Sequence, residues 1–140
     1  MDCVFCRIVS GSLPGEVVYS GDQVIAILDA HPIHPGHALV IPRRHVTDLL
    51  HLPDMVLPEM MLAVRTVAGG LVQALGLEGF NTFSNNGPVA GQSVFHFHIH
   101  ITPRHAGDGI RFVHGAKGYK PGEMAAIGER IRRSIRASTP

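Results

Sequence analysis

Val94-Phe95-His96-Phe97-His98-Ile99-His100-Ile101 alternates imidazoles with bulky apolar side chains from Phe95 onward. Successive side chains of an extended strand point to opposite faces. The alternation therefore predicts a strand whose three imidazoles share one face at about 6.7 Å intervals, with Phe95, Phe97, Ile99 and Ile101 on a buried one. A merely solvated strand face more often carries Thr, Lys or Glu. Imidazole can act near pH 7 as neutral nucleophile, cationic donor or metal ligand, so three on one rigid face point to chemistry.

Outward from this strand, Phe80 to Ser84 reads as another, joined to it by the loop Asn85-Asn86-Gly87-Pro88-Val89-Ala90-Gly91. Val24-Ile25-Ala26-Ile27-Leu28 is a fully apolar strand that ends on Asp29, paired through a turn at Gly21-Asp22 with Val17-Val18-Tyr19. Ala30 to Gly36, with Pro32 and Pro35, is loop; His37-Ala38-Leu39-Val40-Ile41 is a further strand stopped by Pro42. Residues 3–10 suit a short helix. Val56, Met60, Val64, Val67 and Leu71 recur at helical spacing and predict a main helix over 55–75, entered through Pro58 and ended by Gly76. Met124, Ile127, Ile131 and Ile135 mark a final amphipathic helix, with Arg130, Arg132, Arg133 and Arg136 mostly on its wet side. Hairpin-linked strands with two main helices and no regular strand–helix alternation predict an α+β fold with a largely antiparallel sheet.

A chain of 140 residues suits one domain, residues 1–140, with a respectable core. Its net charge of +1 and charged fraction of 16% give no strong field, which argues against nucleic acid or a membrane surface as main partner and for a small molecule. No uninterrupted apolar run approaches 18 residues, and the start lacks a basic and apolar leader; a cytoplasmic protein is expected. In a reducing compartment the pair Cys3-Val4-Phe5-Cys6 reads as a metal half-site or a redox pair.

His96-Phe97-His98-Ile99-His100-Ile101-Thr102 resembles the histidine triad motif of the HIT superfamily, in its bacterial, Hint-like branch, except that Thr102 stands at the last apolar position. Asn85-Asn86-Gly87 and Gly91-Gln92-Ser93-Val94 resemble that family's phosphate loop. Asp29 through Pro42 resembles its Asp…Pro-Gly-His…Leu-Val-Ile-Pro segment, and Cys3-Val4-Phe5-Cys6-Arg7-Ile8 its opening. The resemblance runs from residue 3 to about residue 104; residues 105–140 match no pattern and form a C-terminal extension.

The resemblance implies a HIT-like, five-stranded, mostly antiparallel sheet with two main helices, usually paired as a homodimer. It also implies hydrolysis or transfer at the α-phosphate of a purine nucleoside phosphoramidate or related conjugate, through a covalent nucleotidyl-histidine. By that resemblance His98 attacks phosphorus, His100 and His37 flank the phosphate as donors, and Ser93 contacts it with the amides from Gly91 to Val94. Asn85 and Gln92 offer amide groups, Asp29 accepts the ribose hydroxyls, and Val4, Phe5, Ile8 and Ile27 sandwich the base. Cys3 and Cys6 need two more ligands for a tetrahedral zinc ion, and His45 and His96 are the candidates; four protein ligands would make the zinc structural and leave catalysis without a cofactor.

Three other readings compete. Thr102-Pro103-Arg104 resembles a dinucleoside polyphosphate hydrolase branch. A nucleotide-binding regulatory module with incidental hydrolysis would carry the same motifs. A metal-dependent hydrolase using the histidine face as ligands is disfavoured, because no carboxylate lies between Glu78 and Asp108.

Overall fold

The computed structural model describes residues 2–112 and 115–139 and divides into two compact units, Met1–Asp108 and Gly109–Pro140. The first holds a short helix α1 (Val4–Val9), strands β1 (Val17–Ser20), β2 (Val24–Leu28) and β3 (Ala38–Pro42), the long helix α2 (Leu57–Leu75), and strands β4 (Gly79–Phe83) and β5 (Ile99–Arg104). The strands form one antiparallel sheet in the order β1-β2-β3-β5-β4. The fold class, α+β with a five-stranded antiparallel sheet, is the one the sequence predicts.

Both faces of the sheet are covered, which explains why β2 and β3 are unbroken apolar runs. Val24, Ala26, Ala38, Val40 and Ile101 pack against Met60, Ala63, Val64, Val67 and Ala68 of α2. Ile25, Ile27, Leu39 and Ile41, on the opposite face, pack against Cys3 and Phe5 at the start of α1. The predicted helical stripe is thus the buried side of α2. Pro58 sits in its first turn, where a missing N–H costs nothing, and Gly76 closes it in the left-handed region at φ 60°. Glu59 accepts the amide proton of Gln23 at 3.0 Å and ties the helix start to the β1–β2 turn. Asp54–Leu75 is long and apolar enough to cross a membrane by length and composition alone, although no uninterrupted apolar run of that length is present. Its apolar side is in use as the core.

The histidine segment departs from the expected continuous strand. Only Ile99 onward is paired: Val40 opposes Ile99 and Leu39 opposes His100, and the ladder then stops because β3 ends at Pro42, which has no N–H to offer. Upstream, the Phe97 amide donates instead to the Val46 carbonyl at 2.7 Å. The simple wet-face and dry-face division fails with it. His96 is fully buried, whereas Phe95, expected in the core, is 47% exposed.

In the second unit, α3 (Glu123–Ser138) is the predicted amphipathic helix. Arg132, Arg133 and Arg136 converge on Glu129 at 3.2, 3.1 and 3.4 Å, so much of its charge is locally satisfied, as a solvated face would be.

Candidate active site

Two clusters of titratable side chains sit on the α1 face of the sheet, and His96 and His98 divide them. At the first, Cys3 Sγ lies 3.4 Å from His96 Nδ1, Cys6 Sγ 3.3 Å from His45 Nδ1 and 3.6 Å from His96 Nδ1. All four ligand atoms lie within 4.8 Å of one another. A tetrahedral zinc ion with bonds of about 2.3 Å to sulfur and about 2.0–2.1 Å to nitrogen puts S and N about 3.5 Å apart, so the spacing fits. His96 also donates from Nε2 to the Pro42 carbonyl at 2.8 Å, which leaves Nδ1 unprotonated and directed to the sulfurs. Cys3, Cys6, His45 and His96 are therefore brought together as the sequence predicts, and they fit a metal through the chemistry of the donor set.

The second cluster lines a cleft of about 830 Å³ between α1 and the ends of β2 and β5. Val4, Phe5, Ile8 and Ile27 form apolar walls; Asp29, Ser93, Val94, His98 and His100 bring polar groups to it. His98 is buried, and its Nδ1 donates to the His96 carbonyl at 2.7 Å. That bond fixes the ring and leaves the Nε2 lone pair for the cleft. Phe83, opposite His100 on β4, stacks on the His100 ring with centroids 4.4 Å apart and planes 8° from parallel. Asp29 accepts the His31 amide proton on Oδ1 at 2.9 Å and keeps Oδ2 available, so the carboxylate is both a turn cap and a group facing the cleft.

Three of the residues expected at the phosphate do not line the cleft. His37, expected beside the phosphate, is 3% exposed and lies behind His100, its Nε2 2.9 Å from His100 Nδ1. Gln92 is turned away from the cleft: its amide donates to the Thr47 carbonyl at 2.7 Å and the Val94 carbonyl at 3.2 Å, and its oxygen accepts the Gly87 amide proton at 2.8 Å. Asn85 likewise bonds the Gly91 carbonyl at 3.3 Å and does not line the cleft. Gly91 itself is required by its φ of 88°, not by crowding, since a Cβ there would meet Asn85 at an ordinary 3.6 Å. Exposed His31 also lines the cleft, with Glu16 and Leu39. Sequence reasoning missed these three, although Leu39 shares the strand phase of Ile41 and could have been read from it.

Gln92 is a loop brace. Gln92→Ala leaves the Gly87 amide and two carbonyls to find other partners and is expected to lower stability by about 2 kcal/mol, read from the urea midpoint.

Burial holds the imidazoles in their neutral forms. His37, His98 and His100 all titrate below the ordinary imidazole range because burial disfavours the charged ring; for His100 the neighbouring His98 and His37 push further, down to about 4. The sign follows for stability. The unfolded chain takes up protons near pH 6.5 that native His100 refuses until about 4, so its contribution is complete above about 6.5 and lost as pH falls toward 4. A His100→Gln variant should lose less stability than the parent between pH 7 and pH 4.5, whereas parallel urea midpoints over that range would contradict the assignment.

Among the described residues, Asp29, His37 and His100 also lie within 4.8 Å of one another. They do not offer converging lone pairs, because His37 Nδ1 accepts the Ile33 amide proton at 3.1 Å and its Nε2 is hydrogen-bonded to His100. The triad is thus split between two jobs, which the metal-hydrolase reading does not accommodate. A concavity of about 690 Å³ along α3, lined by Ile127, Ile131 and Ile135, holds no such convergence of groups.

A nitrogen-presenting His98 at the floor of a cleft with a glycine loop and a carboxylate is matched by homology. The sequence model of the HIT domain matches residues 10–107. The chain belongs to the HIT family. A crystal structure of a HIT-family protein from Bacillus subtilis is similar with a TM-score of 0.90 at 36% identity, covering 95% of this chain and 96% of that one. A zinc-bound histidine triad family protein from Mycobacterium smegmatis is similar with a TM-score of 0.75 at 34% identity, covering 96% and 98%. An adenylylsulfatase of Arabidopsis thaliana is 43% identical over 74% of this chain and 52% of its own length. HIT proteins bind nucleotides and form a family of nucleotide hydrolases and transferases, and that broad class is what this HIT protein shares.

Proposed function

We propose that this HIT protein hydrolyses purine nucleoside 5′-phosphoramidates or related α-phosphate conjugates through a covalent nucleotidyl intermediate on His98. The single observation that carries the reading is the bond from His98 Nδ1 to the His96 carbonyl, which leaves Nε2 as an aimed lone pair in the cleft. Nε2 forms a bond to the α-phosphorus as the bond to the leaving amine breaks, and the amine departs with one added proton. Water then attacks phosphorus, the bond to His98 breaks, and one proton is released, so the cycle consumes only water. His100 donates to a non-bridging oxygen, Ser93 and the amides near it hold the phosphate, and Gly91 lets the backbone turn toward the anion. Asp29 accepts the ribose hydroxyls, and the apolar walls take the base.

Cys3, Cys6, His45 and His96 would hold zinc. Bound there, zinc supplies a structural crosslink between the N-terminus and the segment that carries His98, with all four positions filled by protein. The protein would act in the cytoplasm as a homodimer. A dinucleoside polyphosphate hydrolase remains the second reading, motivated by Thr102-Pro103-Arg104 after the triad. Comparing kcat/KM for adenosine 5′-phosphoramidate and for diadenosine polyphosphates decides between them: preference for the amidate is expected, and preference for the dinucleotide by tenfold or more, about 1.4 kcal/mol, would replace it.

A further inference from the structure

The loop between β2 and β3 carries Asp29 at one end and His37 at the other, and it is tied to itself. The Asp29 amide donates to the His37 carbonyl at 2.8 Å, and the His37 amide to the His34 carbonyl at 2.9 Å. Two further amides donate to side chains, His31 to Asp29 Oδ1 at 2.9 Å and Ile33 to His37 Nδ1 at 3.1 Å; the second sets the histidine. A backbone N–H can only donate, so that nitrogen must present a lone pair, and neutral His37 must carry its proton on Nε2. This proton faces His100 Nδ1 at 2.9 Å. His100 Nδ1 is then the acceptor in its turn, and the His100 proton is on Nε2, a buried nitrogen without a partner among the described residues, in a ring that lines the cleft.

We propose that the backbone amide of Ile33 is a positioning group that sets the protonated nitrogen of His37 and, through it, of His100, so that His100 meets the substrate phosphate with a proton and not a lone pair. The opposite arrangement is within reach. Asp29 Oδ2 lies 3.8 Å from His37 Nδ1, and a proton drawn to that side would reverse both rings and turn the His100 lone pair toward the phosphate. The amide, closer by 0.7 Å (3.8 minus 3.1), holds the nitrogen against the carboxylate. Burial, which keeps His37 and His100 neutral, makes the choice between the two nitrogens meaningful at neutral pH. Ribose hydroxyls donating to Asp29 would occupy the competing oxygen and reinforce the same state. That catalytic consequence rests on the reading of His98 as nucleophile; the ring protonation does not.

The test is long-range nitrogen–proton NMR of the imidazoles in the full-length protein at pH 7.5, which distinguishes the two neutral forms by their ring nitrogen shifts. Both His37 and His100 are expected as Nε2–H forms, and an Nδ1–H form of either overturns the proposal. Replacing the amide at residue 33 by an ester exchanges the N–H donor for an oxygen and leaves every side chain in place. It is expected to move His37 toward the Nδ1–H form and to lower kcat about 10²-fold with KM little changed. Unaltered ring shifts and kcat in the ester protein would also overturn it. If the parent shows both Nε2–H forms yet turns over no phosphoramidate, the amide assignment stands and the proposed activity falls.

Discussion

His98→Ala is expected to abolish turnover, by about 10⁴-fold or more in kcat, while the protein keeps its fold and its affinity for a nucleoside monophosphate. Among the described residues the buried ring makes one backbone hydrogen bond, to the His96 carbonyl, an edge contact to Phe5 at 5.0 Å and a tilted contact to His100 at 4.7 Å between centroids. Truncation removes that one bond to the His96 backbone and leaves the side chains of Cys3, Cys6, His45 and His96 in place, so the expected loss is mainly chemical. Neither neighbouring triad imidazole can stand in as nucleophile: His96 Nδ1 faces the sulfurs, and His100 is hydrogen-bonded to His37. Calorimetric binding of adenosine monophosphate with steady-state hydrolysis of the phosphoramidate separates the two properties. Undiminished hydrolysis would remove His98 from the chemistry, and equal turnover by variant and parent with tight binding would favour the regulatory module.

Metal removal is the second large effect. Cys6→Ala deletes one of the four proposed zinc ligands that would join α1 to residues 45 and 96, and it is expected to lower stability by about 3–5 kcal/mol and to reduce zinc content to near zero. Because the proposed site has four protein ligands and none of them lines the cleft, activity should fall only in step with the folded fraction. A parent protein containing zinc in a 1:1 ratio, with hydrolysis at low temperature that survives strong chelation, supports this; loss of chemistry with the fold intact would make the metal part of the reaction.

The apolar runs at 24–28 and 37–41 and the stripe from Val56 to Leu71 were legible as strands and helix because their burial follows local periodicity. Cys3 and Cys6 were legible from type and spacing only as a metal half-site or a redox pair, and His45 and His96 entered through the family resemblance. What failed depends on partners far along the chain. The Phe97 amide bonds Val46 and not a neighbouring strand, so an alternating pattern did not become one continuous strand. Gln92 resembles a phosphate contact in type and position, yet its amide is drawn to the Thr47 carbonyl, 45 residues away. His37 stands at a strand mouth in the sequence, but Ile33 and His100 close around it from both sides. Residue type identified the groups, and tertiary hydrogen bonds assigned their tasks.

The most direct measurement is a crystal structure of the full chain with a bound nucleoside monophosphate. The α-phosphorus is expected about 3–3.5 Å from His98 Nε2, with the ribose hydroxyls on Asp29 and a phosphate oxygen on His100 Nε2. A nucleotide seated elsewhere, or a His98 ring whose Nε2 is turned from the phosphorus, would contradict the central claim.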